Sequence, residues 1–531
     1  MIELKTVSSL EKVFGGGIAC EEEKRGSMLA NERYNFQLCI FNDGSSVRDV
    51  SLSVEGIDSE YLTVRQVVEI PGARVYNEYD DYVIFDDDNI HMFPDLLRPV
   101  QTDALFLRAR QWTALWCTVH AKDGLKAGEH KLKFTVVCGE QTVSTEYVLD
   151  VVGARLPESD LIYTDWMHYD AIANYYHTEP FSERFYELLG TFIDSAVAHG
   201  MNMLYTPLFT PPLDTKIGGE RLTVQLIDVK KSDKGYKFGF NKLEKFIDFA
   251  LLHGIKYFEM SHLTTQWGAK ACPKIMTKTD EGTVRIFGWD TSSSGDEYKA
   301  FLKAFLPALD KFLKKKCVAD KCYFHISDEP AAAHYAQFRE VFDFIRPLIK
   351  DYKVMDATED TALVDCPVIS LHHITDDLPE KCWVYYCCTA YKNYVPNRFF
   401  NMPSQRNRIL GFLLYLSGAK GFLQWGFNFY NSQYSTRPLD PFLESDAGGA
   451  FPSGDSYIVY PGTGGAWDSL RHEVFYDGLQ DRMALKALEK KIGRDKVIEL
   501  LKAEGLDGYR VYPRSDKWHL EFRRKINEML K

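Results

Sequence analysis

Lys321-Cys-Tyr-Phe-His-Ile-Ser-Asp-Glu-Pro330 is an apolar run that ends on two adjacent carboxylates and a proline. Cys322, Tyr323, Phe324 and Ile326 favour a pleated, buried backbone, while Pro330 cannot donate to a sheet ladder and suits the first turn of a helix. A strand that stops near Asp328 is therefore predicted. From Ala331 to Lys350 the chain spaces Phe338, Val341, Phe342, Phe344 and Ile345 as a helix does. The reading is strand, acidic corner, helix. Parallel α/β folds hold ligands at the carboxyl ends of their strands, and eight-stranded barrels place catalytic groups there. Helix capping by Ser327, Asp328 and Glu329 accounts for the same residues equally well.

Outward from this corner the same rhythm repeats. Candidate strands are Leu161–Trp166, Met201–Thr206, Ile255–His262, Asp320–Ser327, Lys353–Asp356, Pro367–His372, Cys382–Cys388 and Lys420–Trp425. Helical patterns lie at Phe181–His199, Asn241–His253, Asp296–Lys316, Ala331–Lys350, Pro403–Ser417 and Trp467–Lys490, and the Ala357–Cys366 connection is too short for a full helix. Eight right-handed repeats predict a TIM-type (β/α)8 barrel with the acidic pair on its fourth strand. A doubly wound open sheet is the alternative, but no Gly-rich phosphate loop follows an early strand. Residues 1 to about 155 alternate short β-rich runs with turns, as in Trp112–His120, His130–Val137 and Glu146–Val152. They predict an antiparallel β-sandwich in a supporting role. The expected division is 1–157 sandwich, 158–490 barrel and 491–531 small helical appendage.

Charged residues at 26% and hydrophobic residues at 45% are ordinary for a globular enzyme, and a formal charge of −12 disfavours nucleic acid or anionic membrane as partner. The start Met1-Ile-Glu-Leu-Lys-Thr lacks a signal-peptide pattern, and no segment is apolar enough to span a bilayer, so a cytoplasmic protein is expected. Eleven cysteines without a Cys-x-x-Cys pair read as free, mostly buried thiols. His372-His373 with Asp376-Asp377 has the residue types of a metal site, but adjacent histidines on a strand diverge; no metal and no cofactor are expected.

The other strand ends are rich in aromatics and amides. Strand one closes on Asp165, Trp166 and His168; strand seven on Tyr385 and Tyr386, followed by Tyr391 and Asn397; strand eight on Trp425, Asn428 and Tyr430. Sugars carry apolar ring faces and hydroxyl edges, so a carbohydrate substrate is expected to meet Trp166, His168, Tyr386, Tyr391, Asn397, Trp425, Asn428 and Tyr430. Trp425 is the expected stacking floor. A conventional retaining glycosidase needs two carboxyls about 5–5.5 Å apart across the sugar. Strands seven and eight end without one, leaving Asp165, Glu259 and Asp356 as candidates from elsewhere. The adjacent Asp328 and Glu329 fit substrate-assisted cleavage instead, provided the backbone turns between them. Glu329 is then the acid, Asp328 holds the acetamido N–H and Tyr386 donates to the acetamido oxygen.

The Asp328-Glu329-Pro330 corner, the Tyr391–Phe400 stretch, Gly421-Phe-Leu-Gln-Trp-Gly-Phe-Asn428 and the run through Tyr460-Pro-Gly, Ser469-Leu-Arg-His-Glu473 and Asp477-Gly-Leu-Gln-Asp481 resemble glycoside hydrolase family 123 and its uncharacterised relatives over about residues 160–490. The resemblance implies an N-acetyl-β-galactosaminidase that uses Asp328 and Glu329 with substrate assistance. Two other functions stay open: a glycosidase on non-acetamido sugars with a separate nucleophile, and a non-catalytic carbohydrate-binding protein. Arg471, Glu473, Asp477 and Asp481 recur at helical spacing and read as an ionic brace.

Overall fold

The computed structural model describes residues 1–531 except 18–20, 74–75, 77, 122–123, 234, 280–281, 331 and 376–377. Its N-terminal part is two packed five-stranded sheets. One runs in the order Ile2–Ser8, Arg33–Asn42, Gln111–His120, Leu62–Gly72, His91–Pro99, with every neighbour antiparallel. The other runs Arg25–Leu29, Gln141–Val152, Gly128–Cys138, Val47–Glu55, Leu105–Leu107. Its pairings are antiparallel except that Arg25–Leu29 lies parallel to the end of Gln141–Val152. Strand alternation explains the packing. Phe36, Leu38 and Ile40 face the inner core, where Phe36 stacks on Tyr147 at 4.1 Å, whereas Cys39 faces outward and packs with Leu470 and Val474 of the barrel's last helix.

The barrel strands are β1 (Ile162–Asp165), β2 (Met203–Thr206), β3 (Tyr257–Met260), β4 (Cys322–Phe324), β5 (Lys353–Ala357), β6 (Cys366–Ser370), β7 (Trp383–Tyr385) and β8 (Gly421–Gln424). All pair in parallel in the order β1-β8-β7-β6-β5-β4-β3-β2. The remaining seam, between β1 and β2, is bridged by Asn202. Its amide N–H donates to the Tyr163 carbonyl (3.1 Å), its Oδ1 accepts from the Tyr163 N–H (2.9 Å) and its Nδ2 donates to Leu161 (2.9 Å). One residue, through its backbone amide and its side chain, thus does the work of a missing ladder. Inside, Met203, Tyr205, Tyr323, Met355, Trp383 and Leu423 fill the lumen, and their strand neighbours Phe324, Val384 and Phe422 point out to the helices.

Helices α1 (Glu183–Ala198), α2 (Asn241–Leu252), α3 (Asp296–Lys315), α4 (Tyr335–Ile345), α5 (Leu410–Ser417) and α6 (Leu470–Ile492) cover the outside. Ser182 and Ser469 cap α1 and α6 by accepting from Phe185 and His472. No helix follows β5 or β6 among the described residues. Two local expectations are revised. The β4 ladder stops at Phe324 instead of Asp328, because residues 325–328 leave β5 and bond to the loop after β3: Thr264 N–H reaches Ile326 O at 2.9 Å and Trp267 N–H reaches Asp328 O at 2.9 Å. The following helix begins at Tyr335 and gives way to a 3₁₀ turn at Arg346–Ile349, where Pro347 lacks the amide hydrogen an α-helix needs. No helix is long and apolar enough to cross a membrane.

Two further helices, α7 (Arg494–Ala503) and α8 (Asp516–Leu530), close the chain. Of these, α8 reaches the sandwich: Arg523 meets Glu32 at 2.8 Å and Asp481 at 3.0 Å, and Asn527 donates to Ser27. The ionic brace on α6 has the same direction. Glu473 is fully buried and accepts from Arg33 and Arg65 of the sandwich, each at 2.5 Å, and from Asn35 at 3.2 Å. Arg471 is paired with Asp95 at 2.8 Å, and Asn35 also reaches Asp477 at 2.9 Å. Burial opposes ionisation of Glu473, yet Arg33, Arg65 and His199 hold its carboxyl well below the usual range. His199, Asp468 and His472 also gather here within 4.8 Å of one another. Arg33 lies 3.3 Å from His199 Nε2 and Arg65 lies 2.8 Å from Asp468, so positive charge already occupies the neighbourhood a cation would need. Elsewhere α5 and α6 approach so closely that a Cβ at Gly411 would overlap the Gly478 carbonyl.

Removing one member of a buried charge set strands its partners. Glu473→Ala leaves Arg33 and Arg65 desolvated against each other, and a loss of about 3–5 kcal/mol is expected. Calorimetry should show a lowered transition in which sandwich and barrel no longer melt together; an unchanged single transition contradicts the clamp.

Candidate active site

At the carboxyl ends of the barrel strands a cavity of about 230 Å³ is walled by Asp328 and Glu329, by Trp166, Tyr385 and Trp425, and by Leu423 and Ala357 deeper in. The two carboxylates reach the same space because Glu329 adopts a left-handed backbone, φ +46°. Side chains next to each other on a regular strand would diverge. The turn is held by the Trp267 N–H on the Asp328 carbonyl and by the Tyr385 hydroxyl, which donates to Glu329 Oε1 at 2.7 Å. Burial, together with the charges of Glu329 and Glu259, drives the Asp328 carboxyl well above the ordinary aspartate range. A neighbouring like charge and burial both disfavour the ionised form, so Asp328 holds its proton to higher pH than an exposed aspartate does.

The layer beneath is a set of occupied hydrogen bonds. Glu259 is buried and accepts from Thr164 Oγ1 (2.6 Å), Trp166 Nε1 (2.7 Å) and His325 Nε2 (2.5 Å), and the His325 ring stacks on His262 at 4.2 Å. Asp165 is locked by Arg398 at 2.7 Å; burial nevertheless pushes its pKa up to about 6 against that guanidinium. Asp356 is buried and accepts from the Ser327 amide at 3.4 Å, and burial and Asp328 push it well up. None of the three lines the cavity.

The sequence-predicted binding residues divide into two groups. Trp166 and Trp425 are on the cavity wall, and Trp425 is fixed by donating to Asp455 at 3.1 Å. The others are elsewhere. Tyr386 is fully buried on the outer side of β7, its ring against Phe422 at 5.1 Å, and Tyr385 holds the place expected for it. Alternation along β7 turns Tyr385 into the lumen and Tyr386 out toward the helices. Asn397 spends its amide on the backbone: Nδ2 donates to Cys387 and Ala390, and Oδ1 accepts from Arg398 N–H. Asn428 does the same with both main-chain groups of His168. His168, pushed down to about 4 by burial and by Arg221, accepts from or donates to nothing in the cavity; its Nε2 lies 2.9 Å from the Trp425 carbonyl. Tyr430 donates to Val459 at 2.8 Å, and Tyr391 stacks on Tyr76 of the sandwich segment at 4.9 Å. None of these six lines the cavity. His372 and His373 lie apart from the pair, and the Asp376-Asp377 portion of that constellation falls outside the described residues. Free cysteines include buried Cys39, Cys117 and Cys322, while Cys387 and Cys388 are on the cavity wall.

Sequence reasoning missed Asp214, Trp267, Tyr434 and Phe451, all on the cavity wall. They come from the loops after β2, β3 and β8. Trp267 had a readable signal, an aromatic flanked by Gln266 and Gly268 just past a strand end.

A parallel eight-stranded barrel whose strand ends gather a carboxylate pair inside an aromatic-walled cavity defines an α/β-barrel hydrolase. The model of the glycoside hydrolase 123 catalytic domain matches residues 166–488, more than half of the sequence. The chain belongs to glycoside hydrolase family 123, and its substrate is a carbohydrate. Among solved structures, a family 123 glycoside hydrolase from Clostridium perfringens, described for glycolipid glycan hydrolysis, superposes with a TM-score of 0.77 at 15% identity, covering 100% of this chain and 97% of that one. At that identity the likeness is one of fold. A Parabacteroides merdae beta-glucuronidase (10% identity, 90% and 52% coverage, TM-score 0.29) and a FixG-related protein from Vibrio parahaemolyticus (9%, 28% and 95%, 0.15) are too loosely similar to carry an argument. No curated protein matches significantly.

The raised Asp328 carboxyl has a consequence for stability. Between the unfolded aspartate pKa and its raised folded value, the folded state binds more protons than the unfolded one, so this group's contribution falls as pH rises. Asp328→Asn removes that term. Its expected effect at neutral pH is a gain on the order of 1 kcal/mol, shrinking toward acid; a melting series from pH 4 to 8 showing loss at neutral pH contradicts the electrostatic picture.

Proposed function

We infer that the protein is an exo-acting, retaining β-N-acetylhexosaminidase, with N-acetylgalactosamine the favoured sugar, working by substrate assistance. The observation that carries this reading is the side-by-side placement of Asp328 and Glu329 in one cavity while Asp165, Glu259 and Asp356 are engaged outside it. The preference for galactosamine rests on the family resemblance. The glycan of a glycolipid is the candidate natural substrate, by analogy with what the Clostridium perfringens enzyme is described as cleaving. In this reading residues 158–490 form the catalytic unit, with 1–157 and 491–531 supporting it.

The chemistry follows from the proton that Asp328 holds. A 2-acetamido N–H arriving at Asp328 stabilises the ionised form of that carboxyl, so the proton passes to Glu329. Tyr385 orients Glu329 by donating its hydroxyl hydrogen to that carboxylate. The acetamido oxygen attacks the anomeric carbon as the glycosidic bond breaks, Glu329 protonates the departing oxygen, and Asp328 balances the positive charge developing on the acetamido nitrogen. Glu329, now ionised, takes a proton from water, which opens the cyclic intermediate from the opposite face. Two inversions give retention. Trp425 and Trp166 offer ring faces to the sugar.

A second reading has one specific observation in its favour. Asp214 lines the same cavity, and burial, opposed by the Tyr434 amide, raises its pKa to about 6. Beside Asp328 and Glu329 it is the further carboxylate on the cavity wall among the described residues, and so the candidate nucleophile for a sugar without an acetamido group. A 2-fluoro glycoside that traps an adduct on Asp214 would select this reading.

Glu329→Gln distinguishes an acid from a wall residue. Turnover of alkyl or sugar leaving groups should fall about 10²–10⁴-fold, and that of a dinitrophenyl glycoside much less, since its leaving group needs little protonation. Steady-state kinetics on both substrate types checks this; equal losses remove Glu329 from the role.

A further inference from the structure

Cys387 and Cys388 are neighbours in the sequence, and both line the cavity together with Tyr385 and Glu329. On a regular strand their side chains would point to opposite faces. They share one because β7 ends at Tyr385 and the chain then turns, the Ala390 N–H donating to the Cys387 carbonyl at 3.1 Å. Asn397 Nδ2 donates to the same carbonyl at 3.0 Å. The two thiols are in hydrogen-bonding contact with each other, and both are free. Each is half-buried, so a small molecule in the cavity can reach it, unlike the fully buried thiols of Cys39, Cys117 and Cys322. Glycoside hydrolysis uses neither sulfur.

Two thiols in contact can be joined by exchange with a disulfide. Contact with Cys387 and then burial push the Cys388 thiol well above the usual cysteine range, so Cys388 keeps its proton at the outset. Cys387 Sγ lies 3.3 Å from the Thr389 hydroxyl, which can donate to a thiolate there. Cys387 is therefore the sulfur that attacks first. Adjacent Cα atoms are about 3.8 Å apart, short of the roughly 4.4–6.8 Å that an ordinary disulfide spans. A bond between these two is strained, and strained disulfides are readily reduced again. The chemistry suits a reversible modification better than a structural crosslink.

We propose that Cys387 and Cys388 form a thiol-modification site on the cavity wall, at which a low-molecular-weight disulfide converts them to a vicinal disulfide that lowers turnover. The Cys387 thiolate attacks one sulfur of the small disulfide, forming a mixed disulfide and expelling the other half as a thiol. The Cys388 sulfur then attacks Cys387 Sγ; the new S–S bond forms as the mixed one breaks, and the Cys388 proton leaves with the second small thiol. The protein pair is oxidised, and the small disulfide is reduced to its thiols. The closed ring contains the peptide unit that carries the Cys387 carbonyl, so closing it pulls that acceptor away from Asn397 and Ala390. Tyr385, which holds Glu329 at 2.7 Å, lies on the same strand end, and Asn397 is followed by Arg398, the partner of Asp165. The effect on turnover rests on the hexosaminidase reading of this cavity; the modification itself does not.

The test treats the purified protein with oxidised glutathione, blocks the remaining thiols with iodoacetamide, and reads the peptide holding Cys387 and Cys388 by mass spectrometry beside turnover of an aryl N-acetyl-β-galactosaminide. Expected are an unalkylated peptide that has lost its thiol hydrogens, turnover lowered about tenfold or more, and recovery of both by dithiothreitol. Cys388→Ser should stop at a glutathione adduct on Cys387, and the double variant Cys387→Ser, Cys388→Ser should lose no turnover relative to its own untreated sample. Alkylation of both thiols in treated wild type, or a glutathione adduct that never closes, overturns the site. Ring closure at full turnover overturns the control of activity. Absent turnover before any oxidation overturns the hexosaminidase reading and the effect on turnover with it, while the peptide, which needs no substrate, still decides the site.

Discussion

Two neighbouring carboxylates forced into one poorly solvated wall set the terms for the rest of this molecule. Left to a regular strand, Asp328 and Glu329 would point apart. The left-handed turn at Glu329 brings them together, and burial beside Glu329 and Glu259 then makes full ionisation costly. The arrangement holds only because other parts of the fold oppose it: the Trp267 amide pins the backbone, Tyr385 pins the carboxylate, and the Glu259, Trp166 and His325 bonds stiffen the layer below. In the proposed mechanism, the acetamido N–H relieves that cost by stabilising the ionised Asp328.

A second buried charge cluster does the opposite work. Around Glu473 the carboxylate is matched by Arg33, Arg65 and Asn35, so the sandwich is fixed to the helix that follows the last barrel strand. Arg471 continues the contact by gripping Asp95 of the sandwich with one edge and the Gly454 and Tyr457 carbonyls of the barrel loop with the other. That loop carries Asp455, which holds Trp425. The supporting module is thereby connected to the cavity wall through one guanidinium, a loop and an indole. Tyr76 against Tyr391 extends the same relation along the rim.

The barrel was legible because its signals are local and repeated. Six of the eight observed strands fall within a run picked out by apolar composition, Lys353–Ala357 and Cys366–Ser370 overrun theirs by one residue, and the helices Glu183–Ala198, Asn241–Leu252 and Asp296–Lys315 match their periodic patterns closely. The acidic corner was legible for the same reason. What failed was anything that depends on phase or on long loops. Tyr385 and Tyr386 are chemically the same residue, and composition cannot say which faces the lumen; pairing with Ser370 and Leu423 decides it. Asn397 and Asn428 look like sugar ligands in a sequence, yet an irregular rim has its own backbone groups to satisfy, and their amides go there. Asp214 and Tyr434 meet only because loops 220 residues apart in sequence are tied together. The spacing of Arg471, Glu473, Asp477 and Asp481 marked a brace, but neither its partners Arg33, Arg65 and Asn35 in the sandwich nor the path of α8 has a local signature.

The central claim is that the nucleophile is the substrate's own acetamido oxygen, with Asp328 and Glu329 serving it. The most direct measurement is kcat/KM for a series of aryl β-glycosides of the same sugar whose N-acetyl group carries none, one, two or three fluorines, since each fluorine weakens that oxygen as a nucleophile and leaves the leaving group unchanged. The account predicts a steep, progressive fall across the series. A flat dependence, with the trifluoro compound cleaved as readily as the parent, would contradict it and place the nucleophile on the protein.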